Sequence, residues 1–494
     1  MGQAAAAKPR VVIIGAGMSG ILTGYRLLGM GIDDFTIYEK GNCAGGTWRE
    51  NTYPGLHCDV PSHFYCYSFA PSPDWTKKFS PGHEIREYFE RQAHELGVAP
   101  HIRLNSEITD AKWDGARWNI ALKDGTKDVA DIVISATGFL HQIAMPDIAG
   151  LDSFKGVKFH TARWDHSVSL EDKRIGIIGT GSTAVQIVSA LAGKVKSLEL
   201  YQRTPQWVLN VPQEEFSPEQ RAAFRQDPAL MRELYDEASE LTVNTARAIM
   251  GLDPALRAEM EQNCRDNLLR VKDPELRARL TPSYEVGCKR LVMSPDFYEA
   301  IQRENTSLVT EGIDYVEANG IVTKDGKLHE LDLIVIATGF NATAYIRPVT
   351  MTGQDGVTLD EVWAEQPKSY QCVTVPHMPN FFMIGGPYSP VGNISLVLMA
   401  EWQVDYIMKC VKRVADEQVA LSPTQAVTDA FISDLREEAR GTTWARGGCT
   451  SWYLDAEGIP AIYPYPFEHF RDTTLGGPDF ANFDVRPLRQ PVDA

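Results

Sequence analysis

The chain has 494 residues, which is too long for one ordinary hydrophobic core and indicates about three domains. Its apolar and charged fractions are those of a globular protein, so disordered and fibrous classes are excluded. A net charge of −17 without a basic face argues against nucleic-acid binding, and no apolar run is long enough for a membrane span.

The N-terminus and the cysteines indicate where the protein works. Met1–Lys8 lacks the apolar core of a signal peptide and predicts a short floppy tail. Eight cysteines lie between Cys43 and Cys449 without a Cys-x-x-Cys pair, which predicts reduced thiols and a cytoplasmic location. The missing pair also disfavours a disulfide reductase.

The first dinucleotide fingerprint lies near the start of the chain. The apolar run Arg10–Ile14 predicts a buried parallel strand, and Ile21–Leu28 has the apolar spacing of a helix. A second strand, Phe35–Tyr38, leads to Glu39. This pattern places a pyrophosphate at a helix N-terminus and a carboxylate on ribose hydroxyls. The glycines of the intervening turn are Gly15, Gly17 and Gly20.

A second unit repeats this pattern after residue 173. Arg174–Ile178 predicts its first strand, Val185–Leu191 the start of its helix, and Ser197–Tyr201 its next strand. The repetition predicts a second bound dinucleotide. The candidate cofactor-binding residues of this unit are Gly179, Gly181, Ser182, Thr183, Arg203 and Thr204.

The two units differ directly after their second strands. The first has Glu39, whereas the second has neutral Gln202 followed by Arg203. A carboxylate would repel a 2′-phosphate, and an arginine can bind one. The first unit therefore suits FAD, and the second suits NADPH over NADH. The alternative is that Arg203 is only a solvated charge at the end of a strand.

An internal echo supports two α/β units of the Rossmann type. Asp131–Phe139 matches Asp332–Phe340, and each string predicts the last buried strand of its unit followed by a turn where the chain crosses between domains. The expected domains are an FAD-binding part at 1–150, an NADP-binding domain at 151–345, and a second FAD-binding part with the C-terminal loop at 346–494.

A charged helical insertion interrupts the second unit at about residues 213–282. Prolines at 212, 218, 228, 254, 274 and 282 predict short helices, which we expect to shape a substrate entrance without catalytic residues. After Phe340 the chain should return to the first domain, with a strand at Asn380–Ile384 and a long helix at Glu401–Ala415.

The stretch between the two units, residues 154–165, carries a third motif. It fits the pattern Phe-x-Gly-x-x-x-His-x-x-x-Trp followed by Pro or Asp, and the chain thereby resembles the type I Baeyer–Villiger monooxygenases within the flavin-containing monooxygenases. Relatives that oxidise heteroatoms usually carry Tyr or Phe in place of the tryptophan. We interpret the stretch as an interdomain linker, with a structural or domain-coupling role for its histidine. The matching residues are Phe154, Gly156, His160, Trp164 and Asp165.

The resemblance extends from about Val11 to Tyr453 and implies further site residues. Departures from the family pattern at Arg49-Glu50, Thr52 and Tyr388 put any specific substrate analogy in doubt. The flavin loop of the family resembles Gly45-Gly46-Thr47-Trp48 together with Tyr53-Pro54-Gly55, and its active-site aspartate resembles the aspartate of Cys58-Asp59. Its NADP-phosphate lysine and catalytic arginine resemble Lys289-Arg290. Its late flavin strand resembles Gly386-Pro387, and its C-terminal loop resembles Cys449-Thr450-Ser451-Trp452-Tyr453.

The resemblance also implies the reaction. NADPH reduces FAD, dioxygen yields a flavin C4a-peroxide, and its attack converts a ketone to an ester or lactone. Arg290 is the candidate catalytic cation, because a guanidinium stays charged at any working pH, and Asp59 would orient it. The sequence offers no metal-ligand spacing and no Gly-x-Ser-x-Gly elbow.

Other functions remain open at this point. The nearest is a monooxygenase that oxidises sulfur or nitrogen atoms, against which Trp164 and Arg290 argue. A different class is an NADPH-dependent flavin reductase or oxidase that inserts no oxygen, and a dinucleotide sensor is more remote. The expected partners are a small ketone and dioxygen, and the expected assembly is a monomer or small homo-oligomer.

Overall fold

The computed structural model describes residues 8–392 and 394–488, so the tail expected at Met1–Lys8 lies outside it except for Lys8. Its first layer is a sheet of five parallel strands, as the apolar runs predict. The strand Phe381–Met383 joins this sheet from the last third of the chain. In spatial order the strands are Phe381–Met383, Ile132–Ser135, Val11–Ile14, Phe35–Tyr38 and Ile102–Arg103.

Side chains alternate between the two faces of this sheet, and both faces are buried. Val11 and Ile13 pack against the helices Met18–Gly29, Gly82–Glu95 and Leu396–Glu417. Val12 and Ile14 pack on the other side against a four-stranded sheet. The strands of that sheet are Thr350–Thr352, Ile108–Trp113, Trp118–Leu122 and Lys127–Ala130.

The second unit repeats this layered arrangement. One face of its parallel sheet is covered by the helices Ser182–Leu191 and Phe297–Ala300. The other is covered by a three-stranded sheet formed by Ile313–Glu317, Gly320–Thr323 and Leu328–Glu330. The predicted fold class is thereby confirmed. The strands of the parallel sheet, in spatial order, are Thr306–Val309, Ser197–Tyr201, Arg174–Ile178, Leu333–Ile336 and Val157–His160.

The stretch from residue 154 to 165 is more than the linker that the sequence predicts. Val157–His160 forms the edge strand of the second sheet, parallel to Leu333–Ile336. Phe154 and Trp164 are buried in the cores on either side of this sheet. A Cβ atom at Gly156 would lie 2.7 Å from the carbonyl oxygen of Asp332, so glycine permits this close pairing.

The insertion is helical, as predicted, and each helix begins at one of the expected prolines. The residue before each proline accepts a backbone N–H with its side chain, which caps the helix. The expectation of short helices is wrong for one element, because no proline interrupts the 22 residues from 228 to 249. The helices are Pro218–Gln226, Pro228–Ile249, Pro254–Leu268 and Pro274–Arg279.

The remaining elements complete the first unit and its C-terminal extension. The long helix expected at Glu401–Ala415 lies within Leu396–Glu417. In the described ranges 8–392 and 394–488, no helix has both the length and the apolar character needed to cross a membrane. The other helices are Thr47–Glu50, Leu359–Val362, Gln425–Ala439, Thr443–Arg446 and Phe467–Gly476, and the two-stranded sheets pair Val208–Leu209 with Val292–Met293 and Val419–Pro423 with Phe483–Pro487.

The prediction that all eight cysteines are reduced thiols is wrong for two of them. Cys288 and Cys449 form a disulfide, with a sequence separation of 161 and 6.1 Å between their Cα atoms. Reasoning from local spacing cannot find such a pair, because only the fold brings the two segments together. The other six cysteines are free.

Gly20 and Gly29, two of the three glycines in the first fingerprint helix, provide a test of its packing. A Cβ atom at Gly20 would lie 1.9 Å from the carbonyl oxygen of Gly15, whereas a Cβ atom at Gly29 would meet nothing within 4 Å. We expect Gly20→Ala to lower the free energy of unfolding by about 1–3 kcal/mol. Gly29→Ala, the matched control, should leave it unchanged or raise it by up to about 1 kcal/mol. Denaturant unfolding of both variants measures the difference, and equal effects would contradict this account.

Candidate active site

A cleft of about 1360 Å³ lies between the two parallel sheets, at the ends where their strands run into the glycine turns. This is the edge at which parallel α/β sheets bind ligands. The predicted site residues that border it are Gly15, Gly17, Glu39, Gly46, Thr47, Trp48, Asp59, Gly179, Gly181, Ser182, Thr183, Arg203, Thr204, Lys289, Arg290 and Trp452.

The first glycine turn is closely packed on its protein side. Gly15 has φ +104°, and a Cβ atom there would lie 2.7 Å from the carbonyl oxygen of Ala136. The loop at residues 45–48 closes over the turn, since Gly45 N–H donates to the Ala16 carbonyl at 3.1 Å. Gly20 does not border the cleft, because it lies where the helix meets the turn. The turn can therefore admit a phosphate group against its backbone.

The second glycine turn has the same geometry. Gly179 has φ +118°, and a Cβ atom there would lie 2.4 Å from the carbonyl oxygen of Ala337. Ala136 and Ala337 hold equivalent places in the two repeated strings, which explains the echo: each string contains the residue that its glycine turn must approach. A Cβ atom at Gly181 would meet no atom within 4 Å, so this position faces open space in the cleft.

Glu39 has the setting of a ribose-binding carboxylate, with one contact that the sequence did not reveal. Its oxygens accept the backbone N–H groups of Ala16 at 2.9 Å and Gly41 at 2.7 Å. Arg49 also pairs with it, at 2.6 Å between Nη1 and Oε1. The only signal for this contact was the departure from the family pattern at Arg49.

Two cationic side chains of the second unit lie close to each other. Arg203 and Lys289 both border the cleft, and neither forms an ion pair with any residue in the described ranges. Burial lowers the pKa of Lys289, and the neighbouring charge of Arg203 lowers it further. Gln202 borders the cleft beside them, and its buried amide donates to the carbonyl of Arg279 at 2.8 Å. Unpaired positive charge at this place suits an anionic group of a ligand.

Arg290 and Asp59 form an ion pair across the two units. Asp59 Oδ2 accepts Arg290 Nε at 2.9 Å and Nη2 at 2.6 Å, and the Val391 carbonyl accepts Nη1 at 3.2 Å. The charge of Asp59 raises the pKa of Arg290 above its usual value. A guanidinium has five N–H groups, so two remain after these three bonds, and the hydroxyl of Tyr453 also lies close enough to interact with the guanidinium. Arg290 keeps 39% of its side chain exposed, and this exposed part borders the cleft.

Apolar side chains form the wall near Arg290. Trp452 stacks on Phe139 with 6.2 Å between ring centroids. None of residues 213–282 borders this cavity, so the expectation that the insertion shapes a substrate entrance stays a prediction. The insertion instead supports the site from behind, where Ile249 packs in one cluster with Trp444. The other apolar residues of this wall are Leu140, Val391, Ile394 and Leu396.

The predicted fingerprint residues, from Phe154 to Asp165, lie outside the cavity. His160 accepts the Ala162 N–H at Nδ1, so its Nε2 carries the proton and donates to the Gly339 carbonyl at 3.0 Å. Burial lowers the pKa of this histidine. Its bonds thus fix a neutral ring between the edge strand and the turn at Gly339, which agrees with a structural role.

The neighbourhood of the fingerprint contacts the flavin loop directly. Glu50 forms an ion pair with Arg163, and Thr52 hydrogen-bonds His166 at 2.8 Å between Oγ1 and Nε2. Glu50 also pairs with Arg49. These loop residues are departures from the family pattern, and they connect the two units at the surface instead of contacting the wall near Arg290.

Comparisons with known proteins agree with this geometry. Residues 8–243 match the family described as flavin-binding monooxygenase-like. An uncharacterized monooxygenase of Mycobacterium tuberculosis is 47% identical over 463 residues, which cover 93% of each chain. A Baeyer–Villiger monooxygenase of Streptomyces coelicolor is 40% identical over 98% of this chain and 94% of its own length.

A solved structure is similar over nearly the whole length. The cyclohexanone monooxygenase of Rhodococcus sp. Phi1, bound to NADP⁺, superposes with a TM-score of 0.86 at 28% identity and covers 98% of this chain and 100% of its own. The similarity thus includes both dinucleotide units and the segments around Arg290. The chain therefore belongs to the Baeyer–Villiger monooxygenases, within the flavin-binding monooxygenase-like family.

Proposed function

We propose that this enzyme uses FAD, NADPH and dioxygen to convert a small ketone to an ester or lactone. The observation that carries the proposal is the guanidinium of Arg290, held by Asp59 in the same cleft as both glycine turns. In the overall balance, ketone, dioxygen, NADPH and a proton give ester, NADP⁺ and water. One oxygen atom enters the C–C bond beside the carbonyl.

The two turns fit two different dinucleotides. The Gly15 turn and buried Glu39 suit FAD, because the carboxylate can accept ribose hydroxyls. The Gly179 turn with Arg203 and Lys289 suits NADPH, because two unpaired cations can bind a 2′-phosphate. The corresponding domains would be an FAD-binding part at 1–150 and 346–494 and an NADP-binding part at 151–345.

Arg290 has the properties needed to assist oxygen insertion. When bound, flavin and NADPH supply the oxygen activation and the reducing hydride. The carbonyl oxygen of the ketone gains negative charge as its carbon is attacked, and a fixed cation stabilises that charge without reorganisation. Asp59 keeps the guanidinium in one orientation, and two N–H groups remain after its three bonds. The apolar wall beside Arg290 limits water around the reacting atoms.

The proposal also includes an assembly and a location. We infer a cytoplasmic location, because six of the eight cysteines are free thiols, and we propose a monomer or small homo-oligomer. Size-exclusion chromatography with light scattering measures the assembly, and cell fractionation measures the location.

A panel of linear, cyclic, aryl and steroid ketones tests the reaction and the substrate class. With NADPH and ¹⁸O-labelled dioxygen, we expect mass spectrometry to find one labelled oxygen atom in an ester or lactone. Sulfides should be oxidised more slowly than the best ketone. Unlabelled products, with hydrogen peroxide formed in step with NADPH consumption, would instead indicate a flavin oxidase.

Arg290→Ala tests the catalytic cation. We expect flavin binding and reduction by NADPH to persist, whereas ester formation should fall by about 10²–10³-fold or more, because the developing charge loses its partner. Asp59→Asn should cause a smaller loss, since Arg290 keeps its charge. Single-turnover reduction and product analysis separate the two steps. Arg232→Ala, on an exposed insertion helix, is the matched control, and ketone turnover by the Arg290 variant at the control rate would refute the assignment.

Arg203→Ala tests the choice of nicotinamide cofactor. We expect the KM for NADPH to rise by about 10- to 100-fold, which corresponds to the loss of a charge-assisted hydrogen bond. The KM for NADH should change little, because NADH has no 2′-phosphate. Steady-state kinetics with both cofactors give the ratio. Equal changes for the two cofactors would mean that Arg203 is only a solvated charge.

A further inference from the structure

The disulfide joins two segments that both border the cleft. Cys288 directly precedes Lys289 and Arg290, and Cys449 directly precedes Thr450–Trp452. The first segment carries the cations of the site, and the second carries part of its wall. The bond therefore attaches the base of the C-terminal wall to the residue next to the proposed NADPH and catalytic cations.

The cleft-facing part of the C-terminal segment has few other attachments. Thr450 is exposed, and Trp452 keeps 45% of its surface exposed although it stacks on Phe139. At the base of the segment, Glu285 N–H donates to the Gly447 carbonyl at 2.9 Å. The disulfide adds a covalent connection at the point where the exposed residues begin. Its loss would leave Thr450–Trp452 held by that stacking contact and by the buried Tyr453 that follows it.

The two cysteines differ in how far the residue is exposed to solvent. Cys288 is fully buried, whereas Cys449 is partly exposed. An incoming thiolate can therefore approach Cys449, with Cys288 as the leaving group. The other six cysteines are free, so the bond is isolated in a chain that otherwise carries thiols. An isolated disulfide in such a chain is more typical of a redox-responsive site than of a structural framework.

We propose that Cys288–Cys449 is a redox modification site whose reduction by a dithiol loosens Thr450–Trp452 from the cleft. The first thiolate of the dithiol forms a mixed disulfide with Cys449 and releases Cys288. The second thiol then displaces Cys449, so the protein gains two electrons and two protons while the dithiol becomes a disulfide. In the oxidised enzyme, Thr450–Trp452 stays against the cleft beside the proposed NADPH site. The reduced enzyme binds NADPH more weakly, because this segment is then loosened.

Thiol counting and proteolysis test the site itself. Under denaturing conditions, the protein prepared without reductant should show six reactive thiols, and after dithiothreitol it should show eight. Peptide mapping without reduction should recover Cys288 and Cys449 in one linked pair. Chymotrypsin should cut after Trp452 faster in the reduced protein, because the segment is then less restrained. Eight thiols even after mild oxidation, or equal cleavage of the two forms, would overturn the proposal.

The kinetic test of the disulfide rests on the proposed NADPH site. Reduction should raise the KM for NADPH by about three- to tenfold, with a smaller change in kcat, because the closed wall contributes to binding. The double variant Cys288→Ser and Cys449→Ser should match the reduced enzyme and ignore dithiothreitol. Cys43→Ser, which removes a partly exposed free thiol, should keep the redox response.

The outcomes of the two arms distinguish the two proposals. Redox-dependent proteolysis without any ketone oxidation would refute the proposed reaction but support the redox site. Normal ketone oxidation with the same KM for NADPH in the oxidised, reduced and double-variant enzymes would refute control by the disulfide and leave the reaction intact.

Discussion

The ion pair between Asp59 and Arg290 is the constraint on which the site depends. Asp59 follows the flavin loop of the first unit, and Arg290 follows the insertion of the second. Their contact fixes the distance between the two units at the one edge where both glycine turns open. Since the carboxylate stays beside the guanidinium, the charge can border an apolar wall and still have two N–H groups left after its three bonds.

Short sequence patterns predicted those parts of the fold that depend only on residues close together in sequence. The turns at Gly15 and Gly179 were identified because a positive φ and a close carbonyl both require glycine. Helix starts in the insertion were found because proline is favoured at the first helical position. Arg290 and Asp59 required the family resemblance, since nothing in an isolated arginine or aspartate distinguishes it from an ordinary surface charge.

Other features depend on contacts that no local pattern records. The pairing of Arg49 with Glu39 and the bond between Cys288 and Cys449 arise only when distant segments are packed together. The position of the insertion is a similar case: its amphipathic helices predict that it packs on the protein, but not on which side of the wall. The edge strand at Val157–His160 was missed because four residues beside glycine and histidine give a weak strand signal.

The unpaired charges of Arg203 and Lys289 have a consequence for how a ligand arrives. The chain as a whole carries a net charge of −17, but a polyanion is repelled by it only within about one Debye length, roughly 8–10 Å at physiological salt, because salt screens the charge at larger distances. Close to Arg203 and Lys289, the two cations dominate the local field and attract a phosphate. Added salt therefore weakens both the repulsion by the whole chain and the attraction by the two cations. A ligand long enough to extend from the apolar wall to these two cations gains both contacts, whereas a small free anion gains only the second.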